Sequence, residues 1–296
     1  MQTVGRDLLV NKAVTLLENG TVQLVLGWRK GLFDYDITPA TFTAAEDIIR
    51  NFEWNDHCGA NLSKYLVKLS RKTEGKILVF LKPCDSYSFN QLLTEHRFDR
   101  EKVYAVGVQC DGMKDADGNE LERCTNCKSR KHVVYDELIG NEGEVLDSKR
   151  FADVEWLENM TPDERFAFWK EQFSKCIRCN ACRDVCPACT CETCVFNNPK
   201  SGVENKAPVT SFEEQNFHII RAFHVAGRCT DCGECSRVCP QHIPLHLLNR
   251  KFIKDINGFY GDYQAGEEVG QRAPLVNYTP DDIEPYEIFD GGEKNV

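Results

Sequence analysis

Sixteen cysteines stand in this 296-residue chain, and eight of them fall into two copies of one spacing. Cys176, Cys179, Cys182 and Cys186-Pro187 form a C-x2-C-x2-C-x3-C-P run, and Cys229, Cys232, Cys235 and Cys239-Pro240 form the second. This spacing ligates cubane iron–sulfur clusters, and in two-cluster proteins the fourth cysteine of each run ligates the other cluster. Three thiolates of one tight loop reach three iron corners, and the fourth corner takes a ligand from elsewhere. The proline after the fourth cysteine cannot continue a hydrogen-bonded helix and turns the chain away. The expected sets are therefore Cys176, Cys179, Cys182 with Cys239, and Cys229, Cys232, Cys235 with Cys186. Structural zinc takes four ligands, usually as separate C-x2-4-C pairs, which two identical four-cysteine runs fit poorly.

A second group of four emerges only through the elements that carry it. KILVFL (76–81) and VYAVGVQ (103–109) read as buried strands, with a helix from about Asp85 to Glu95 between them, Asp85 and Ser86 offering its caps. Strand, helix, strand at this spacing is a βαβ unit, so the strands run parallel. Cys84 follows the first strand and Cys110 the second, which places both at the carboxyl edge where parallel sheets hold ligands. Cys124 and Cys127 follow in the polar loop LERCTNCKSR. Cys84, Cys110, Cys124 and Cys127 can converge there as a third 4Fe-4S site. Two other readings stay open: zinc on the same four thiolates, or Cys84 and Cys110 as small buried hydrophobes.

The remaining elements position the two runs. RDLLVNKAVTLLE (6–18) has helical spacing at Leu8, Leu9, Ala13, Leu16 and Leu17; TVQLVLGW (21–28) reads as a strand, and Gly27 and Gly31 bracket a turn after it. Helices are expected over 42–52 and after Asn61. The βα rhythm ends between 145 and 160. Thr161-Pro162-Asp163-Glu164 is a capping-box signature opening a helix with Phe166, Phe168, Trp169 and Phe173, whose aromatics pack beside a cluster or form ordinary core. Ser211 and Glu214 make a second box, before a helix that ends at Gly227 and delivers Cys229. His224 near its end either bonds a cluster sulfur or is an ordinary packed or surface histidine; His242 and His246 carry no assigned role. The expected organisation is an α/β domain with a parallel-containing sheet over 1–160, an α-helical two-cluster ferredoxin-like domain over 161–256, and an extended partner-binding tail over 257–296. Phe259, Tyr260, Tyr263, Tyr278, Tyr286 and Phe289 would anchor that tail.

Four cysteines lie outside these sets: Cys58, Cys189, Cys191 and Cys194. Seven cysteines in residues 176–194 exceed what two clusters need. They form a fourth cluster with Cys58, or replace a ligand assigned above, or are free thiols.

Composition narrows the function classes. Net charge is -10, from 36 Lys+Arg against 46 Asp+Glu, which disfavours nucleic acid as a partner. Mean hydropathy is -0.44, and no apolar run reaches membrane-spanning length. The first residues read as neither a signal peptide nor a twin-arginine leader, so the thiols are expected to be reduced, in the cytoplasm of an anaerobe, rather than a disulfide framework.

LKPCDSYSFNQLL followed by VYAVGVQC and RCTNC resembles the beta subunits of the deazaflavin-coenzyme-dependent hydrogenase and formate dehydrogenase group. It also resembles the dicluster beta subunits of sulfhydrogenases and anaerobic sulfite reductases. KCIRCNACRDVCPACTC and RAFHVAGRCTDCGECSRVCPQHIPL resemble the dicluster modules of the same subunits, and the likeness spans about residues 70–250. The resemblance implies an electron-relay subunit working between a catalytic subunit and a flavin or heterodisulfide-reductase-type subunit. Some members hold flavin. Here no G-x-G-x-x-G follows a strand, and there is no P-loop; the group does not bind flavin through such a fingerprint, so flavin is unsupported but not excluded. Two other functions compete: a flavin-containing beta subunit that itself oxidises or reduces a hydride carrier, and a zinc-stabilised docking module.

Overall fold

The computed structural model describes residues 2–146, 150–198 and 211–274, the side chains of 211–214 excepted. Helix α1 (Arg6–Glu18) has the expected bounds and buries Leu9, Val10, Ala13 and Leu16. Leu8, assigned to that face from sequence, is exposed, and Val10 takes its place. Strand β1 (Leu24–Lys30) then turns back antiparallel into β2 (Ile37–Phe42), with Trp28 opposite Pro39. Gly27 lies inside β1, where the sequence suggested the start of a turn. β2 escaped the sequence reading because a proline argues against a strand. It stands at the sheet edge, where a missing N–H breaks no ladder.

Two helices follow, α2 (Ala45–Asn51) and α3 (Ser63–Lys72). Leu62 rather than Asn61 holds the capping position of α3; Asn61 lies one residue before it, and its Oδ1 accepts from Ser63 N at 2.9 Å. Strand β3 (Ile77–Leu81) is buried along its whole length and leads into α4 (Pro83–Thr94). That helix begins two residues before Asp85. Pro83 occupies the first turn, where its missing N–H costs nothing. Asp85 caps from inside instead, accepting from Lys82 N at 3.4 Å and pairing with Lys82 Nζ at 2.7 Å. The shift places Cys84 within the first turn of α4.

Strand β4 (Val103–Val108) pairs parallel with β3, Val79 opposite Ala105, so the βαβ unit forms. After α5 (Glu122–Thr125) comes a short fifth strand, β5 (Glu137–Ile139), parallel to β4 and unforeseen. The sheet order is β2-β1-β3-β4-β5. All its strands but β2 run parallel, so its carboxyl edge is the edge from which Cys84 and Cys110 leave.

The second half is helical: α6 (Ala152–Glu158), α7 (Pro162–Ser174), α8 (Ala181–Asp184), α9 (Ser211–Val225), α10 (Glu234–Arg237) and α11 (Leu245–Tyr260). The Thr161–Glu164 box forms, with Thr161 N donating to Glu164 Oε2 at 2.8 Å and Glu164 N to Thr161 Oγ1 at 3.3 Å. The side chains of Ser211 and Glu214 lie outside the described residues. Phe173, Phe196, Phe217, Ile243 and Leu245 build a second core around Cys176, Cys182 and Cys235.

Residues from 257 onward do not begin as an extended arm. α11 continues to Tyr260, Tyr263 Oη donates to Gly227 O at 2.7 Å, and Gly270 N donates to Thr94 Oγ1 at 2.9 Å. Gly266 lies so close to α4 that a Cβ would meet Tyr87 O at 1.9 Å, and its φ of +77° suits glycine. This stretch folds back on the first domain because it has buried surface to join, with Ala265 and Ala273 covered. Phe259 and Tyr260 are exposed, and Tyr278, Tyr286 and Phe289 lie outside the described residues.

The two halves meet through buried charge. Glu234 is fully buried and accepts from Arg123 Nη1 at 2.6 Å, Arg237 Nε at 2.7 Å and Asn61 N at 3.2 Å. Burial opposes the Glu234 charge, but the Arg237 and Arg123 guanidiniums overcome it and hold the carboxyl down to about 2. Asp231 likewise joins Arg250 at 3.0 Å and Arg150 at 3.2 Å, and Glu95 joins Arg228 at 2.7 Å. Removing one member of such a set leaves charge buried without its partner, which costs about 3–5 kcal/mol. Glu234→Gln is therefore expected to destabilise the reconstituted protein by about that amount, read as a fall in the urea midpoint of anaerobic unfolding. An unchanged midpoint would remove Glu234 from its role at the seam.

Candidate metal centre

The two cysteine runs fold as copies of one another. Arg178 and Asp231, each just before the second cysteine of its run, have φ of 54° and 60°. Asn180 and Gly233, each just after it, have φ of 62° and 67°. Left-handed backbone costs a non-glycine residue about 1–2 kcal/mol, so its recurrence at matched positions marks a loop bent for a purpose. The bend turns backbone N–H groups toward sulfur. Arg178 N donates to Cys176 Sγ at 3.4 Å, and the Asp231 and Glu234 amides donate to Cys229 and Cys232. Each loop then enters a four-residue helix, α8 or α10, that carries the third cysteine, and these two helices pack together. At Gly233 a Cβ would come within 2.7 Å of the Arg123 side chain, which explains the residue that differs from Asn180.

One cavity, of 20 Å³, is lined by Cys176, Cys179, Cys182 and Cys239, together with Arg178, Phe217 and His218. Cys186 is not on its wall. That residue lies beside Cys189, whose thiol hydrogen-bonds to it, and Arg221 stands close to Cys186, Cys189 and Cys235. His218 is buried and stacks on Phe173 with ring centroids 4.8 Å apart. Among the described residues neither of its ring nitrogens has a hydrogen-bond partner. Burial, with Arg221 and Arg178 nearby, pushes its pKa down to about 3, so the ring is neutral with one N–H to give. An orphaned donor beside four thiols fits a group whose sulfur atoms accept hydrogen bonds, as a 4Fe-4S cluster's do.

A second cavity, of 40 Å³, gathers Cys84, Cys110, Cys124 and Cys127. β3 and α4 supply the first, the end of β4 the second, and α5 with the residues after it the others. Gly112 N–H donates to Cys110, and Met113 N to Cys124 Sγ at 3.4 Å. Lys82, Arg123, Lys128 and Arg130 line the same space. Burial pushes the Cys110 thiol up to about 12 and the Cys84 thiol well above its ordinary value. Burial also brings Lys128 down to about 8, against the pull of Asp231. Thiols held neutral by burial become ligands when a metal supplies the compensating charge. The four cations around the cavity favour that deprotonated state. Among the described residues no three His, Cys, Asp or Glu side chains close on a single ion-sized point; a cubane's ligands stand apart, one at each iron corner.

The wall of this cavity also includes Asp231 and Cys232 of the second loop. Arg123 joins the two sites, donating through Nη1 to Cys232 O at 2.7 Å and to Glu234, and through Nη2 to Gly59 O. Lys128 bonds Thr230 O and sits 3.9 Å from the centre of the Tyr87 ring.

The extra cysteines lie in different surroundings. Cys58 is fully buried in the first core, where its sulfur accepts from Asn55 N at 3.3 Å, and Cys110 lies within its electrostatic reach. Burial pushes it up to about 12. Cys58 packs in the sheet core, whereas Cys191 is exposed and Cys194 packs on the second core. His224 is a surface residue. His246 is buried at the seam, its Nδ1 2.8 Å from Ser236 Oγ. Phe173 and Trp169 of α7 reach the second core, whereas Phe166 is exposed. Sequence reasoning missed His218 and Arg221. Their signal was two polar residues three apart on a face of α9 otherwise carrying Phe217, Ile220 and Val225.

Crossed ligation makes a sharp prediction. Cys186→Ala, combined with Cys189→Ala so that the adjacent thiol cannot substitute, should abolish the electron paramagnetic resonance (EPR) signal of the cluster on Cys229, Cys232 and Cys235. The signal of the cluster on Cys176, Cys179, Cys182 and Cys239 should persist. Loss of the latter with survival of the former would overturn the crossing.

Comparison with known proteins agrees with this geometry. Residues 172–243 match the family described as a 4Fe-4S dicluster domain. The F420-dependent formate dehydrogenase subunit beta of Methanocaldococcus jannaschii is 22% identical over 333 residues, covering 81% of this chain and 86% of the relative. The F420-dependent formate dehydrogenase 1 subunit beta of Methanococcus maripaludis is 23% identical over 362 residues, covering 88% and 92%. Two 4Fe-4S clusters follow from the domain match and the paired loops. Across most of its length the chain is thus a relative of F420-dependent formate dehydrogenase beta subunits, with a 4Fe-4S dicluster domain in its second half.

Proposed function

We propose that this chain is the iron–sulfur subunit of a multisubunit cytoplasmic oxidoreductase of formate dehydrogenase, hydrogenase or heterodisulfide-reductase type. It relays single electrons through the two clusters of its dicluster domain and a third 4Fe-4S cluster on Cys84, Cys110, Cys124 and Cys127. One observation carries the reading. The cavity those four thiols share is also lined by Asp231 and Cys232 of the second cluster loop. A wall shared with the second loop supports a third site beside the second cluster, bridged by Arg123. Clusters accept and donate one electron each, and burial and hydrogen bonds to sulfur set their potentials. The cysteine chemistry offers a relay, and the catalytic step belongs to a partner subunit. A flavin or heterodisulfide-reductase-type subunit would stand at the other end. Among the described residues no helix is long and apolar enough to cross a membrane.

The relatives are F420-dependent by name, and that favours a second reading, in which this chain itself binds flavin and exchanges electrons with a hydride carrier. Metal and flavin analysis of the anaerobically purified protein separates the readings. The relay predicts about twelve Fe per chain, no zinc and no stoichiometric flavin. Cys110→Ser should remove about four Fe and leave both dicluster EPR signals in place. Stoichiometric flavin would favour the second reading. About eight Fe with one Zn per chain would instead make the first domain a zinc-stabilised docking module.

A further inference from the structure

The two cluster loops share a buried cation. Arg221 extends from α9 into the second core and is 6% exposed. Its Nη1 donates to Cys182 Sγ at 3.3 Å and its Nη2 to the Cys182 carbonyl oxygen at 3.0 Å. It also hydrogen-bonds the Cys189 thiol, and Cys186 and Cys235 lie within its electrostatic reach. Cys182 belongs to one cluster set, Cys186 and Cys235 to the other. Among the described residues no carboxylate pairs with Arg221, and its Nε has no hydrogen-bond partner. A guanidinium buried without a carboxylate is costly unless another anion answers it. The other cations near these loops differ in this respect. Arg123 pairs with Glu234 and Arg228 with Glu95, while Lys128, Arg178 over the Phe217 ring at 4.0 Å, and Lys64, which reaches Cys189 O, are only partly buried, so solvent screens them.

A 4Fe-4S cluster with four thiolates is net negative, and one-electron reduction makes it more so without making or breaking a bond. A fixed positive charge in a medium of low polarity stabilises the reduced form more than the oxidised form. Hydrogen bonds to cluster sulfur act in the same direction. We propose that Arg221 is a tuning residue shared by both clusters of the dicluster domain. Its guanidinium raises both midpoint potentials, more strongly for the cluster on Cys182, whose sulfur and carbonyl it holds in one fork. The inference rests on the two-cluster reading and adds the residue that sets the level of both.

The test is an EPR-monitored redox titration of the complete chain, anaerobically reconstituted, as wild type, Arg221→Met and Arg221→Lys. Signals are assigned with the Cys186→Ala/Cys189→Ala variant. Arg221→Met should weaken reduction of the Cys182-side cluster at least tenfold in equilibrium constant, which is 59 mV for a one-electron couple. The other cluster should shift in the same direction by less. Arg221→Lys keeps the charge but not the fork, so it should return the second cluster to its wild-type potential and the first only in part. Unmoved potentials at both clusters of Arg221→Met, with iron content intact, would overturn the proposal. Should Arg221→Met fail to take up iron, Arg221→Lys decides. A lowered potential confined to the Cys182-side cluster supports the proposal, and wild-type values at both clusters overturn it. A wild-type chain showing one cluster signal in this domain would instead refute the two-cluster reading beneath it.

Discussion

Negative charge held away from water is the constraint on which this structure depends. Cluster thiolates cannot exist in a dry core unless cations and N–H groups answer them. The chain answers at every loop. Backbone amides of Arg178, Asp231 and Glu234 point at sulfur in the dicluster domain, and those of Gly112 and Met113 do so at the sheet edge. Guanidiniums do the rest: Arg221 sits between the paired loops, and Arg123 sits between the second loop and the sheet. Arg123 is itself neutralised by Glu234, which Arg237 shares. The seam between the halves of the molecule is thus the same network that stabilises the sites. A chain built this way cannot separate its domains without exposing charge that only their contact compensates.

The sheet contributes position more than chemistry. Parallel pairing of β3 with β4 brings the residues after both strands to one edge, although Cys84 and Cys110 are far apart in sequence. Starting α4 at Pro83 adds a refinement, because Cys84 then lies in the first helical turn, where the helix dipole favours a thiolate. The polar loop with Cys124 and Cys127 closes over that edge and reaches the second cluster loop through Arg123 and Lys128. The proposed relay needs adjacent sites, and the four thiols that would hold the third cluster owe their common cavity to where two strands end.

Much of this was legible in the sequence, for identifiable reasons. The paired runs announce themselves because cubane ligation demands fixed spacing, and the βαβ unit does so because buried parallel strands are continuously apolar. Convergence of Cys84, Cys110, Cys124 and Cys127 followed from topology rather than from any local motif. β2 stayed hidden because Pro39 contradicts strand chemistry except at an edge, and β5 because three residues carry no pattern. α11 and the fold-back of residues near Gly266 were hidden because their apolar contacts are with distant elements. The buried polar residues were least legible. His218, Arg221 and Glu234 look like surface residues of helices until the opposing loop is in place, and only long-range contact shows what they face.

The central claim is that three one-electron sites form a continuous chain within this subunit. Coulometric titration with a low-potential reductant counts them directly. The account predicts uptake of about three electrons per chain in one-electron waves. Uptake of about two electrons would contradict a third cluster at the sheet edge.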